Sequence, residues 1–293
     1  ELWAATEFVR ATLAAEELRP VRSVPLGVSL PKVEPRGRLE LGLPLDATVF
    51  LFVFDFQSYA SRKNPEAVVS AFLRAFPEGT EKVHLLLKTH AAASAPEAWA
   101  RLHEMCTDRR IQFRDSVVPR DELLSLIANA DAFVSLHRSE GFGRGPAEAM
   151  LLGKPVIVTG YSGTTDFATP DCAYVVGYTL KPVGADEYAG IDDAGPPVSW
   201  ADPDIDEAAR HMRRVHEEPA EARILGERGR ARIVELYDPR TVGEQMLAAL
   251  GVVAGETRQA PAAEGALAEE PTPPPQSVRR PRRKRGAERR ITE

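Results

Sequence analysis

The chain has 293 residues, 43% of them hydrophobic, with 37 Lys and Arg against 43 Asp and Glu and a formal charge of −6. That is enough apolar material for one good core with appendages, and the acidic balance speaks against a nucleic-acid-binding body, which would need a broad basic surface. Nine of the basic and six of the acidic residues lie in 256–293, so the rest holds 28 basic against 37 acidic. Cys106 and Cys172 form neither a disulfide framework nor a metal-ligand spacing, which fits a reduced, cytoplasmic setting. No run is apolar enough to span a bilayer and no signal-peptide pattern is visible, so any work at the inner face of a membrane is expected to be peripheral.

Taken in chain order, short apolar runs alternate with helical patterns. Strands are expected at 48–54, 82–88, 111–114, 132–136, 155–159 and 173–176, each without polar alternation, as in parallel strands buried on both faces. Helices are expected between them at 65–76, 95–105, 120–129 and 146–152. The βαβα order implies an α/β fold with a Rossmann-like, doubly wound parallel sheet, and ligands at the carboxyl ends of its strands. Residues 177–202, rich in Gly, Pro and Asp, read as a long irregular excursion, followed by helices at 204–217 and 220–237. A last helix starts at Asp238-Pro239 and runs to about 250. From Gly255 the composition narrows to Ala, Glu, Pro and Arg, which cannot bury enough apolar area to fold. The segment 253–293 therefore reads as a disordered basic tail, either simply solvated or a patch for anionic lipid or nucleic acid. No aromatic residue interleaves with its arginines, which argues against base stacking.

The most informative stretch is 137–150, His-Arg-Ser-Glu-Gly-Phe-Gly-Arg-Gly-Pro-Ala-Glu-Ala-Met. Glu140 falls on a glycine-rich turn after a strand, and Glu148 in the first turn of the expected helix. Gly141, Gly143 and Gly145 let backbone N–H groups approach a ligand, and the helix start adds partial positive charge. A strand–turn–helix cradle with two carboxylates suits a ligand carrying both phosphates and sugar hydroxyls. No Ser-His-Asp array, zinc spacing or Walker lysine loop accompanies it.

Three segments together resemble the retaining glycosyltransferases of family 4, built on the GT-B fold of two facing Rossmann-like domains. They are 54–65, from Phe-Asp-Phe-Gln-Ser to Arg-Lys-Asn-Pro; the Ser-Glu-Gly-Phe-Gly of 139–143; and the Gly-Lys-Pro-Val-Ile-Val-Thr-Gly-Tyr-Ser-Gly of 153–163. The resemblance covers about residues 20–250 and implies the carboxyl-terminal, donor-binding half of such an enzyme. It implies a boundary at 19/20, with 1–19 the end of an acceptor-binding domain, a nucleotide-sugar-binding domain over 20–237, and a crossover helix over 238–252. A further domain before Glu1 is the corresponding expectation, and without it the chain is expected to bind donor but transfer nothing.

The resemblance also implies roles. Glu148 should hold the ribose hydroxyls and Glu140 the hydroxyls of the transferred sugar, since a carboxylate accepts two hydrogen bonds from a vicinal diol. Gly141, Phe142, Gly143 and Arg144 should aim amides at the sugar and the β-phosphate. Lys63 should contact the diphosphate. Many relatives place a second cation where this chain has Ser58, leaving Arg62 or Arg144 for that part. His137 is either a satisfied strand-end histidine or a sugar contact, and Val118 either core or a wall for the nucleobase. Implied partners are a nucleotide-diphosphate sugar and a glycan, lipid-linked or other acceptor, with no specific nucleic acid. No cofactor or metal requirement is expected. A non-catalytic nucleotide-sugar-binding relic, a sugar-nucleotide epimerase and a phosphorylase remain as alternatives.

Overall fold

The computed structural model describes residues 1–251 apart from 16–18, 33, 35, 185–186 and 189–197. The chain opens with β1 (Leu2–Ala4), α1 (Glu7–Ala15) and β2 (Val21–Ser23), where β1 and β2 pair in parallel. There follow β3 (Thr48–Asp55), α2 (Ala60–Lys63), α3 (Pro65–Ala75), β4 (Val83–His90), α4 (Pro96–Met105), β5 (Ile111–Asp115) and α5 (Arg120–Asn129). After these come β6 (Ala132–Ser135), α6 (Arg144–Leu151), β7 (Val156–Thr159), β8 (Tyr174–Val176), β9 (Tyr178–Pro182) and β10 (Ser199–Pro203). Three helices close the described chain: α7 (Ile205–Glu217), α8 (Pro219–Tyr237) and α9 (Pro239–Ala249).

Strands β3 to β8 form a six-stranded, wholly parallel sheet in the order β5-β4-β3-β6-β7-β8. The expected α/β class and parallel sheet are both present, and all six expected strands exist with ends moved by at most two residues. Their continuous apolar runs reflect burial on both faces: Phe50, Leu85 and Val134 lie in one core layer with α3 and α7. Val49, Leu51, Leu86 and Phe133 lie in the other, with α5, α6 and α8.

Three expectations are corrected. Helix α6 starts at Arg144 rather than 146, because Gly143, at φ +92°, turns the chain directly into the helix. Pro146 then takes the third helical position, where its missing N–H costs no internal hydrogen bond. Glu148 consequently lies in the second turn, not the first. Residues 177–202 are not wholly irregular, since β9 and β10 pair as an antiparallel ribbon from Tyr178↔Pro203 to Pro182↔Ser199. The expected disordered tail lies outside the described residues.

Close backbone approaches fix the helix behind the signature turn. Gly145 lies over the Phe133 ring, where an added Cβ would sit 3.0 Å from Cζ, so α6 packs closely on β6. Gly226 of α8 passes the turn between α6 and β7, where an added Cβ would meet the Gly153 carbonyl oxygen at 2.3 Å. Gly226→Ala should therefore destabilise the protein by about 1–3 kcal/mol, because backbone cannot give way as a side chain can. Gly243→Ala in α9, where nothing lies within 4 Å, should be neutral or stabilising by up to about 1 kcal/mol. Urea unfolding of the two variants against the parent checks the contrast.

Candidate functional site

The sheet order reverses at β3: the chain leaves it toward β4 and β5 on one side and returns to β6 on the other. The segments leaving the carboxyl ends of β3 and β6 therefore splay apart and leave a crevice, the usual ligand position in a doubly wound sheet. The segment after β3 carries Ser58, Arg62 and Lys63, and the segment after β6 carries His137 to Arg144.

The Arg-Lys-Asn-Pro sequence has a local reason for each residue. Helix α2 ends at Lys63, and Asn64 takes the left-handed conformation (φ 57°, ψ 52°) that its short amide tolerates. Buried Asn64 Nδ2 donates to the carbonyl of Leu136 at 3.0 Å, tying this turn to the end of β6. Pro65 then opens α3 at its first position. The break between α2 and α3 leaves Arg62 and Lys63 at the crevice rather than along a continuous helix.

Both cations converge on Glu140. Lys63 Nζ lies 2.5 Å from Oε1 and Arg62 Nη1 3.2 Å from Oε2, with the Glu140 side chain only 13% exposed. Arg62 also donates to the carbonyls of Ser58 at 3.2 Å and Ser139 at 2.8 Å. Burial pushes the Glu140 carboxyl up, but the neighbouring positive charge, chiefly Lys63, outweighs it and holds the group below the usual carboxylate range. His137 is fully buried, and burial holds it below its ordinary value. It is therefore neutral near pH 7, and the two side-chain cations keep Glu140 ionised. The His137 ring nitrogens face the Ser135 hydroxyl at 3.3 Å on one side, and the Tyr161 carbonyl and Thr164 hydroxyl at 3.3 Å on the other.

The Glu140 backbone is held just as firmly. Its N–H donates to Ser162 Oγ at 2.8 Å, and its carbonyl accepts from Gly163 N at 2.9 Å. Only glycine fits at 163, since an added Cβ would lie 2.3 Å from the Gly141 carbonyl oxygen. At Gly143 an added Cβ would meet Thr164 Cγ2 at 2.5 Å. The turn of 162–166 thus templates the signature turn. Gly141 itself is open, with no atom within 4 Å of an added Cβ.

Glu148 forms a second charged centre. It is 3% exposed, and its Oε1 lies 2.6 Å from Arg120 Nη2 and 3.8 Å from Arg144 Nη1. That oxygen is buried and no donor is aligned on it as a hydrogen bond, so the contacts are ionic. Arg120 was not among the residues expected from the sequence. The available signal was a cation at the first position of a helix, where the dipole disfavours it. Ser162 fixes the Glu140 amide from the turn after β7.

The remaining expected residues are placed as follows. The Phe142 ring packs on Phe167 and Tyr237 at 5.6 and 5.2 Å, so only its backbone is available to a ligand. Arg144 is 57% exposed at the start of α6. Ser58 contributes its carbonyl to Arg62. Half-buried Val118 lines a pocket at the carboxyl ends of β3 and β4. Outside that set, Asp166 accepts from the Glu7 amide at 2.9 Å. The Thr6 hydroxyl donates to the Gly141 carbonyl at 2.8 Å, and Phe8 packs edge-on against Tyr161 at 5.4 Å, so the first helix touches the signature turn. Among the described residues, no three His, Cys, Asp or Glu side chains converge as a metal site, and no helix is long and apolar enough to cross a membrane.

A parallel sheet wound outward in both directions from β3 is the architecture of one half of a GT-B fold. Residues 49–189 match the family model described as Glycosyl transferases group 1. A D-inositol 3-phosphate glycosyltransferase of Corynebacterium efficiens is 31% identical over 132 residues, 44% of this chain and 30% of that protein. A protein of the same name from Acidothermus cellulolyticus is 29% identical over 157 residues, 50% of this chain and 34% of its own length. The match thus spans about a third of these curated relatives. Among solved structures, sucrose-phosphate synthase from Thermosynechococcus elongatus superposes with a TM-score of 0.65 at 24% identity, covering 85% of this chain and 57% of that one. HepE of Anabaena, solved with UDP and glucose, gives 0.67 at 17% identity over 86% of this chain and 63% of its own.

The charge cluster yields a prediction about titration. A carboxyl depressed in the fold adds stability at pH above its unfolded value, and loses it as pH falls through the folded value. In the parent protein Glu140 should therefore titrate below the ordinary glutamate range. In Lys63→Met the burial contribution loses its largest opposing charge, leaving His137 and Arg62, so the titration should move upward and the stability contributed at neutral pH should shrink. NMR titration of the Glu140 carboxyl carbon in both proteins checks the direction; an unchanged titration would remove Lys63 as its main counter-charge.

Proposed function

We propose that this chain is the donor-binding half of a glycosyltransferase that takes a sugar from a nucleotide-diphosphate sugar with retention at the anomeric carbon. The observation that carries the reading is the convergence of Lys63 and Arg62 on buried Glu140 at the reversal of the sheet, one turn before α6 begins. A cation pair, a carboxylate and free helix-start amides meet there, which matches a ligand with adjoining phosphate and sugar.

In this reading the diphosphate lies between Lys63, Arg62 and the first amides of α6. As the bond from the anomeric carbon to the phosphate oxygen lengthens, negative charge grows on the leaving diphosphate. Fixed cations and amides stabilise that charge without reorganising. Glu140 turns its carboxylate to the hydroxyls of the sugar, where its charge opposes the positive charge building on the ring, and Lys63 is shared between this carboxylate and the phosphate. Glu148 grips the ribose diol through its carboxylate. The two side-chain cations supply the neutralisation, so no bound metal is required. The acceptor, a glycan or lipid-linked hydroxyl, approaches from the open side of the crevice.

Calorimetry with UDP, GDP and ADP tests the donor site directly. At least one should bind, chelating agents should leave the affinity unchanged, and Glu148→Ala should weaken it by about tenfold or more, as for loss of hydrogen bonds to a charged group. Circular dichroism confirms a retained fold. Indifference to Glu148→Ala would overturn the ribose role. The stereochemical part is read by NMR from the anomeric configuration of the first-formed product.

A further inference from the structure

Lys88, near the carboxyl end of β4, is 4% exposed, a burial that lysines seldom reach without a paired charge. Its Nζ donates to the carbonyl of Thr89 at 2.8 Å and to that of Ser116. Among the described residues it forms no ion pair; the carboxylates of Asp115 and Glu122 act on it only from a distance. Burial accordingly lowers its pKa, with Asp115 offsetting part of the effect. An ammonium has three N–H donors, and the two carbonyls account for two of them.

The third donor belongs to a side chain that lines a pocket of about 330 Å³ at the carboxyl ends of β3 and β4. Val53, Val118 and Leu123 give the pocket apolar walls suited to a flat ring. Asp55 and His90 also line it, but pair with each other at 3.6 Å. The pocket adjoins the start of α5, whose first residue, Arg120, reaches Glu148. A nucleoside with its ribose on Glu148 therefore has this pocket within reach of its base. An apolar-walled pocket with one buried, unpaired cation is costly to the fold, and the cost has a purpose if the remaining donor meets a ligand.

Resting on the donor reading above, we propose that Lys88 is a specificity residue that reads the base. Its third N–H donates to a ring carbonyl oxygen, so the site takes a keto base, uracil or guanine, over the corresponding amino base. Cytosine and adenine present an exocyclic amine at the equivalent position, which sets donor against donor.

The test is calorimetry of the full chain and of Lys88→Met with UDP, CDP, GDP and ADP. Methionine keeps most of the side chain's apolar length while removing the buried charge and its hydrogen bonds to the Thr89 and Ser116 carbonyls, and circular dichroism checks that the fold persists. Within the ring class that binds more tightly, the parent should prefer the keto member by about tenfold or more, the scale of one charge-assisted hydrogen bond. Lys88→Met should lose that preference by weakening the keto member, leaving the amino member within about threefold. Equal weakening of all four ligands, or a preference that survives the substitution, would overturn the proposal. Binding without preference in the parent would overturn it while leaving the donor site in place. Failure of the parent to bind any of the four would remove the donor reading and this one with it. Should Lys88→Met not fold, 4-thio-UDP and UDP against the parent decide the same point when the pyrimidines bind more tightly, because sulfur is the weaker acceptor. For the purines, 6-thio-GDP serves in the same way. Weaker binding of the thio analogue supports the contact and equal binding contradicts it.

Discussion

The structure depends on one topological constraint: the parallel sheet is wound outward in both directions from β3. A parallel sheet has no hairpins, so its strands are joined by crossovers that run over one face or the other, and the faces are covered on opposite sides of the reversal. Between β3 and β6 no crossover can lie directly over the strand ends. The crevice there follows from the winding itself. The Arg-Lys-Asn-Pro segment and the Glu140 turn meet because they leave the two strands that flank the reversal, and Asn64 bonds one to the other.

What occupies the crevice is a balance of burial and charge. Glu140 is too buried to remain ionised alone, and the cations on it would lose their partner if it were protonated. Breaking such a pair by removing one member commonly costs about 3–5 kcal/mol, far more than for an exposed surface pair. The cluster is therefore stable and under tension at once, since a phosphate brought between Lys63 and Arg62 competes with Glu140 for the same donors. Glu148 stands differently. Its ionic contacts with Arg120 and Arg144 neutralise it without filling its hydrogen-bonding capacity. One carboxylate is fully engaged in the absence of ligand, and the other is neutralised but not satisfied.

The strands were legible because burial on both faces turns each into an unbroken apolar run. The signature was legible because its glycines and carboxylates are close in sequence. What sequence could not show has identifiable causes. Helix α6 starts two residues earlier than expected because Arg144 and Gly145 read as loop, and only the positive φ of Gly143 reveals the turn into the helix. Strand β9 was hidden because it is mostly exposed and so lacks the apolar pattern of the central sheet. Arg120 pairs with a residue far along the chain, and Lys88 follows the aliphatic run Leu85–Leu87 of its strand, so neither carries a local signal beyond being a charge in an unusual place. Such misplaced charges are where local preference yields to function.

The account is tested most directly by a crystal structure of the chain with a bound nucleoside diphosphate. It predicts the β-phosphate within hydrogen-bonding distance of Lys63 Nζ and of the first amides of α6, with the ribose hydroxyls on Glu148. The structure contains a second polar pocket, of about 220 Å³, lined by Thr48, Asp131 and Lys154 at the opposite ends of the strands. A nucleotide found there, or anywhere that leaves the Lys63–Glu140 pair undisturbed and Glu148 untouched, would contradict the assignment of the crevice as the donor site.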